Sequence, residues 1–189
     1  MKRPYIIGLM LLLTVLTLTA CGQADAPVTY EIVSKGSLKA GDAVPVPSDK
    51  VVLTVDGKIN QHNSGNTLQF DMATLESIGL VKYDVNDPFV KVKIDYSGVL
   101  LSQLLKIAGI SPDATTITLH ALDDYSVDMD IADAEKWPVM LATQADGAYM
   151  PVDKNGPIIS VFPYDDFSEI DHLTYDALWV WSLDSITVK

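Results

Sequence analysis

Residues 139–163 read VMLATQADGAYMPVDKNGPIISVFP. Val139–Thr143 is a short apolar run, which predicts a buried strand. Gln144–Gly147 carries an Asp-Gly step and predicts a turn. Tyr149–Pro151 is a second, shorter extended piece. Gly156-Pro157 restarts the chain, and Ile158–Pro163 predicts a third strand that ends at a corner. Three short strands in quick succession, with turn chemistry between them, put β-structure at the centre of the fold.

Working towards the N-terminus, Ile131–Lys136 predicts one helical piece and Ser126–Asp130 a strand. Asp123-Asp124-Tyr125 is a turn, and Thr115–Ala121 alternates as its partner strand. Tyr96-Ser97-Gly98-Val99-Leu100 predicts the opening of a helix. Leu100, Leu101, Leu104, Leu105 and Ala108 fall at helical spacing, and Gly109 ends it. Lys82–Lys93 is extended and polar, broken at Asp87-Pro88. Asp71 predicts the cap of a helix over Met72–Ser77, after a short strand at Leu68–Phe70. Val51–Val55 is a strand, and Asp56-Gly57 has the form of a hairpin turn. Towards the C-terminus, Trp179–Val188 predicts a last strand, with Trp179 and Trp181 on one face. The expectation is a β-rich, mixed α+β fold in a single domain.

The first twenty residues stand apart. Lys2 and Arg3 precede an apolar stretch, Tyr5–Leu18, too short for a comfortable membrane span. Leu18-Thr19-Ala20-Cys21 then resembles a lipobox, which makes Cys21 the lipidated (palmitate-bearing) first residue after cleavage. Three segments are expected: residues 1–20 a lipoprotein signal peptide, 21–50 a tether with an edge element at Val28–Val33, and 51–189 the domain. This places the chain in the cell envelope, anchored on the periplasmic face, with Gly22 after the Cys favouring the outer membrane.

The 189-residue chain carries a formal net charge of −12. Loss of Lys2 and Arg3 with the leader makes it two units more negative. Such a body repels nucleic acid and anionic headgroups, so membrane attachment falls to the acyl chains. Cys21 is the only cysteine, which excludes an internal disulfide and a thiolate elsewhere. His62, His120 and His172 are scattered, without zinc-ligand spacing. Asp84–Asp87 lacks the Gly and distal Glu of a calcium loop. No metal ligands and no catalytic residues are assigned.

Several stretches together resemble the oxidoreductase molybdopterin-binding domain, the fold of sulfite oxidase and its periplasmic relatives. They are VVLTVDGKI (51–59), YSGVLLSQLLKIAGI (96–110), ALDDYSVDM (121–129), residues 139–163 and LWVWSLDSITV (178–188). The resemblance implies a sulfite-oxidase-like fold. In the enzymes of that family a cysteine thiolate holds molybdenum, and Arg and Lys grip the phosphate of the pterin cofactor. Here Gly79–Tyr96, where the thiolate belongs, has no Cys. Between Gly156 and Leu183 there is no Lys or Arg, but Asp165, Asp166, Glu169 and Asp171.

The resemblance also covers periplasmic proteins that bind free reduced pterins and signal to membrane enzymes. A pterin ring presents an N–H edge that a carboxylate accepts and faces that want aromatic walls. The candidate ligand-binding residues are Tyr96, Asp124, Tyr125, Tyr164, Asp165, Trp179 and Trp181. Trp179 and Trp181 read equally as core, and Asp124 and Asp165 equally as turn residues. The functional expectation is a lipid-anchored binding module for a small pterin-like heteroaromatic ligand, with a membrane signalling protein as its partner. No firm cofactor is assigned. The alternatives are a molybdopterin-dependent oxidoreductase with atypical metal ligation, and a structural lipoprotein with a filled pocket.

Overall fold

The computed structural model describes residues 30–189. The leader and Cys21 lie outside the described residues. Among the described residues, eleven strands form two sheets, and four short helices connect strands along the chain. The first sheet holds β1 (Glu31–Lys35), β4 (Gly79–Asn86), β5 (Lys93–Leu100), β8 (Met140–Ala145) and β10 (Ile159–Val161) in that spatial order. The two-residue β9 (Ala148–Tyr149) pairs with β8. The second sheet runs β3 (Leu68–Asp71), β2 (Val51–Gly57), β11 (Leu183–Val188), β6 (Thr116–Ala121) and β7 (Ser126–Asp130). Among the described residues, only β2 and β11 pair in parallel. The result is the β-rich α+β class expected from the sequence.

The burial pattern follows the period of two that a half-buried strand imposes. Leu53 and Val55 on β2, and Val81, Tyr83 and Val85 on β4, are all buried. On β11 the inward residues are Leu183, Ile186 and Val188. Their uneven spacing has a cause: the register against β6 shifts between Leu183 and Ser185, a bulge that takes up one residue. Helix α1 (Met72–Glu76) starts at Asp71, whose carboxylate accepts from Thr74 N. Helix α2 (Leu101–Ala108) buries Leu101, Leu104, Leu105, Ile107 and Ala108, and ends at Gly109 in the left-handed region. Helix α3 occupies Ile131–Lys136, the span read from sequence. Helix α4 (His172–Tyr175) lies in the acidic loop, where no element was expected.

Four expectations are corrected. Tyr96–Leu100 does not open a helix but completes β5, and α2 starts at Leu101. The reason sits at Gly98, where a Cβ would lie 2.1 Å from Leu141 O. The close approach lets β5 pair with β4 and β8 at once, and the pairing outweighs the helical spacing of the leucines. Lys82–Lys93 is not one polar extended stretch. It is the end of β4, a turn over 87–92, and the start of β5, with Tyr83 and Val85 in the core. Asp56-Gly57 is not a hairpin turn, because β2 continues through Gly57, whose φ of +85° admits Val188 O where a Cβ would stand. Residues 58–67 make the connection to β3.

Trp179 and Trp181 are not on a strand face. β11 begins only at Leu183, after Ser182 at φ +49°. The segment before it is drawn to β10 instead. Ser160 N donates to Val180 O at 3.0 Å, and Val180 N donates to Ser160 Oγ at 2.7 Å. Trp179 is therefore buried at 3 % exposure, while Trp181, two residues on, is 37 % exposed. The edge element expected at Val28–Val33 is seen as β1, starting at Glu31.

Candidate functional site

Three loops meet at one end of the sheets. The first is the β4–β5 turn. Asp87, 3 % exposed, takes its shape in hand: Oδ1 accepts from Phe89 N at 2.8 Å and Val90 N at 2.9 Å, and Oδ2 accepts from Tyr96 Oη at 2.9 Å. Burial first, then the Asp87 carboxylate, pushes the Tyr96 phenol far above its ordinary range, so it stays a donor. The turn so held leaves Phe89 at the surface, 43 % exposed.

The second loop is the β6–β7 turn, where Asp124 sits at φ +66°. Asp123 Oδ1 accepts from Tyr125 N at 3.2 Å, and Tyr125 Oη donates to Ala177 O at 2.9 Å. That last bond ties the turn to the third loop, a 3-10 turn at Asp176–Leu178 running into Trp179, Val180 and Trp181. Phe89 closes the circle, edge to face with Trp181 at 4.8 Å between centroids and 64° between planes.

The loops enclose a cleft of about 370 Å³, within the range usual for small-ligand sites. Its walls are Phe89, Tyr125, Trp179 and Trp181, and its charged groups are Asp123 and Asp176. Among the described residues, no Lys or Arg lines it. Asp176 Oδ1 is shared with His172 Nδ1 at 2.8 Å. Behind the Trp179 indole lies Tyr164, stacked at 5.9 Å and 11°, and His172 stacks on Tyr164 at 4.2 Å. Among the described residues, the buried Tyr164 hydroxyl has no hydrogen-bond partner. Burial, followed by the nearby Asp176, raises its pKa far beyond the ordinary value. A second cleft of about 400 Å³ lies on the other side of Trp181, with Tyr96, Tyr149 and Lys154 in its lining.

Of the residues singled out from sequence, Tyr125, Trp179 and Trp181 come together on the first cleft. Tyr96 lines the second. Asp124 is at the exposed tip of its turn beside Asp123. Tyr164 supports Trp179 from behind. Asp165 stands apart: its Oδ2 accepts from Asn86 N at 3.2 Å and Asn86 Nδ2 at 2.9 Å, fastening the corner after β10 to the end of β4. Phe89, Asp123 and Asp176 were missed. Asp123 had the same signal as its neighbour Asp124. Phe89 had one too, a large apolar residue inside a polar turn. Asp176 carried no local signal.

Residues 72–165 match the family model described as the oxidoreductase molybdopterin binding domain. That stretch belongs to the family. Among solved structures, the chain is similar to the sulfane dehydrogenase SoxCD from Paracoccus pantotrophus, with a TM-score of 0.56 and 17 % identity. The likeness covers 72 % of this chain and 37 % of that one, and shows a shared sulfite-oxidase-like fold. The chain thus spans well under half of that protein's length. No curated protein matches the sequence.

The family stretch supplies Phe89, Asp123 and Tyr125 to the cleft, and ends before Asp176, Trp179 and Trp181. A molybdopterin held as the family's enzymes hold it needs a thiolate for the metal and cations for the phosphate. The chain has no cysteine after Cys21. Two carboxylates, Asp123 and Asp176, line the aromatic cleft, which would repel a phosphate placed there. Each carboxylate–phosphate pair costs about 4 kcal/mol at about 4 Å and an effective dielectric of about 20, less where water enters. Without a thiolate after Cys21, the donor set does not fit the metal-bearing cofactor. Among the described residues, no group of three or more His, Cys, Asp or Glu is placed to hold a metal ion.

Proposed function

We propose that the chain is a lipid-anchored module of the cell envelope that binds a free pterin-like heterocycle in the aromatic cleft and signals its occupancy to a membrane partner. One observation carries this reading: the cleft joins Phe89, Tyr125 and Trp181 to Asp123 and Asp176, with no cation among the described residues in its lining. Aromatic walls suit the faces of a flat ring, worth about 0.5–1.5 kcal/mol per well-placed pair beyond area burial. A carboxylate suits its N–H edge, worth about 1.5–3 kcal/mol for a charged hydrogen bond. The sulfite-oxidase-like fold supplies the frame, and no cysteine after Cys21 offers a metal a thiolate. The lipobox at Leu18–Cys21 supports the anchor. Among the described residues, no helix is long and apolar enough to cross a membrane.

The test is recovery of the ligand. The full chain is made in a host that synthesises pterins and purified from its membranes. Denaturation should then release a compound with pterin fluorescence, and Cys21→Ser should move the protein out of the membrane fraction. Absence of any released pterin, together with failure to bind added pterin, overturns the ligand reading. A second reading, a molybdopterin-dependent oxidoreductase with atypical ligation, is favoured by the family match itself. It requires near-stoichiometric molybdenum in the same preparation.

A further inference from the structure

The indole of Trp181 is a wall of two clefts, and the clefts differ in charge. The one already described carries Asp123 and Asp176. The other, about 400 Å³, is floored by apolar groups that include Val90, Ile94 and Ile159. Its polar side chains are mostly spoken for. Asp87 accepts from Phe89 N, Val90 N and Tyr96 Oη, and the Tyr149 hydroxyl donates to Glu76 Oε2 at 3.0 Å. What remains is Lys154 with its neighbour Asn155. Among the described residues, Lys154 makes no ion pair, and it is the one cation lining either cleft.

The two clefts are also held in fixed relation. Ser182 N donates to Asn155 O at 2.7 Å, which seats the turn bearing Lys154 beside Trp181. The β4–β5 turn straddles the divide, giving Phe89 to one cleft and Val90 to the other. Each cleft alone is large enough for a small ligand, so a bare two-ring heterocycle fills at most one of them.

We infer that the natural ligand has two parts: a heteroaromatic head with an N–H edge in the acidic cleft, and an apolar spacer ending in an anion that passes over Trp181 towards Lys154. This rests on the pterin reading above and extends it to the class of substituent the ring carries. Tryptophan emission of the full chain is titrated with pterin, which has the head alone, and with pteroylglutamate, which adds a spacer and carboxylates. Pteroylglutamate should bind about tenfold or more tightly than pterin, as one charged hydrogen bond allows. The advantage should shrink with added salt. Lys154→Ala should remove most of it and leave pterin affinity unchanged, while Lys154→Arg should keep it. Equal affinity for the two probes, or equal weakening of both in Lys154→Ala, overturns the two-part ligand and leaves the pterin reading standing. If neither probe binds, both fall.

Discussion

Phe89 and Trp181 meet edge to face with their ring centroids 4.8 Å apart. The contact joins the β4–β5 turn to the loop before β11, two segments far apart in sequence. It also fixes the ridge between the two clefts. The pair is half exposed, with Phe89 at 43 % and Trp181 at 37 %. Two aromatic rings open to water at the meeting point of three loops form the apolar surface that the proposed ligand would cover.

The neighbouring tryptophans should separate binding from stability. Trp179 is 3 % exposed and packed between Tyr96 and Tyr164, each at 5.9 Å. Trp179→Ala should therefore cost about 3–5 kcal/mol, as large core truncations do. Trp181→Ala should cost far less and abolish pterin binding. Urea midpoints and emission titrations on both variants check this. A Trp181→Ala protein with full affinity removes that residue from the site.

Ser160 is fully buried and holds the Trp179 segment to β10. Its hydroxyl donates to Leu178 O and accepts from Val180 N. Ser160→Ala leaves both backbone groups short of a partner in the core, and should destabilise by about 1–3 kcal/mol. Affinity should fall as well, because Trp179 and Trp181 flank the freed residue. Chemical denaturation with a parallel titration reads both effects.

Asp165 should behave as a fastener. With Asn86 as its partner and an exposed position, Asp165→Ala should lower stability by about 0.5–1.5 kcal/mol and leave pterin affinity alone. Loss of affinity with unchanged stability would return Asp165 to the ligand.

The acid limb of the stability curve should depend on Asp71. Its carboxylate accepts from Thr74 N at 2.8 Å, Ser48 N at 2.8 Å and Asp49 N at 3.1 Å. Thr74 foremost, then Ser48 and Asp49, holds it well below the ordinary value of 3.8, against the opposing effect of burial. A depressed folded-state pKa gives stability that is present above the unfolded value and lost as pH falls towards the folded one. Asp71→Asn should lower stability at neutral pH and flatten its decline below about pH 4. Urea midpoints measured against pH test this, and an unchanged acid slope would contradict it.

Where local chemistry decides an element, the sequence announces it. The Asp71 cap of α1, the span of α3 and the β6–β7 turn at Asp123–Tyr125 were all legible. Where two segments distant in the chain decide it, the signal is absent. Gly98 lies against Leu141 O, and the close approach lets β4 and β8 pair with what looks like a helix start. Val180 is claimed by Ser160, which keeps both tryptophans out of β11. The aromatic half of the site could be read as residue types, but not as one surface. Of the carboxylates singled out, Asp124 lies next to the cleft-lining Asp123, and Asp165 is at another corner, bound to Asn86.

The most direct measurement is a titration of the full chain with pterin, followed by tryptophan emission, in the wild-type protein and in Asp176→Asn. The account predicts saturable binding to one site, weakened about tenfold to a hundredfold by the substitution, as the loss of a charged hydrogen bond requires. No saturable change in emission, or the same affinity in both proteins, would contradict it.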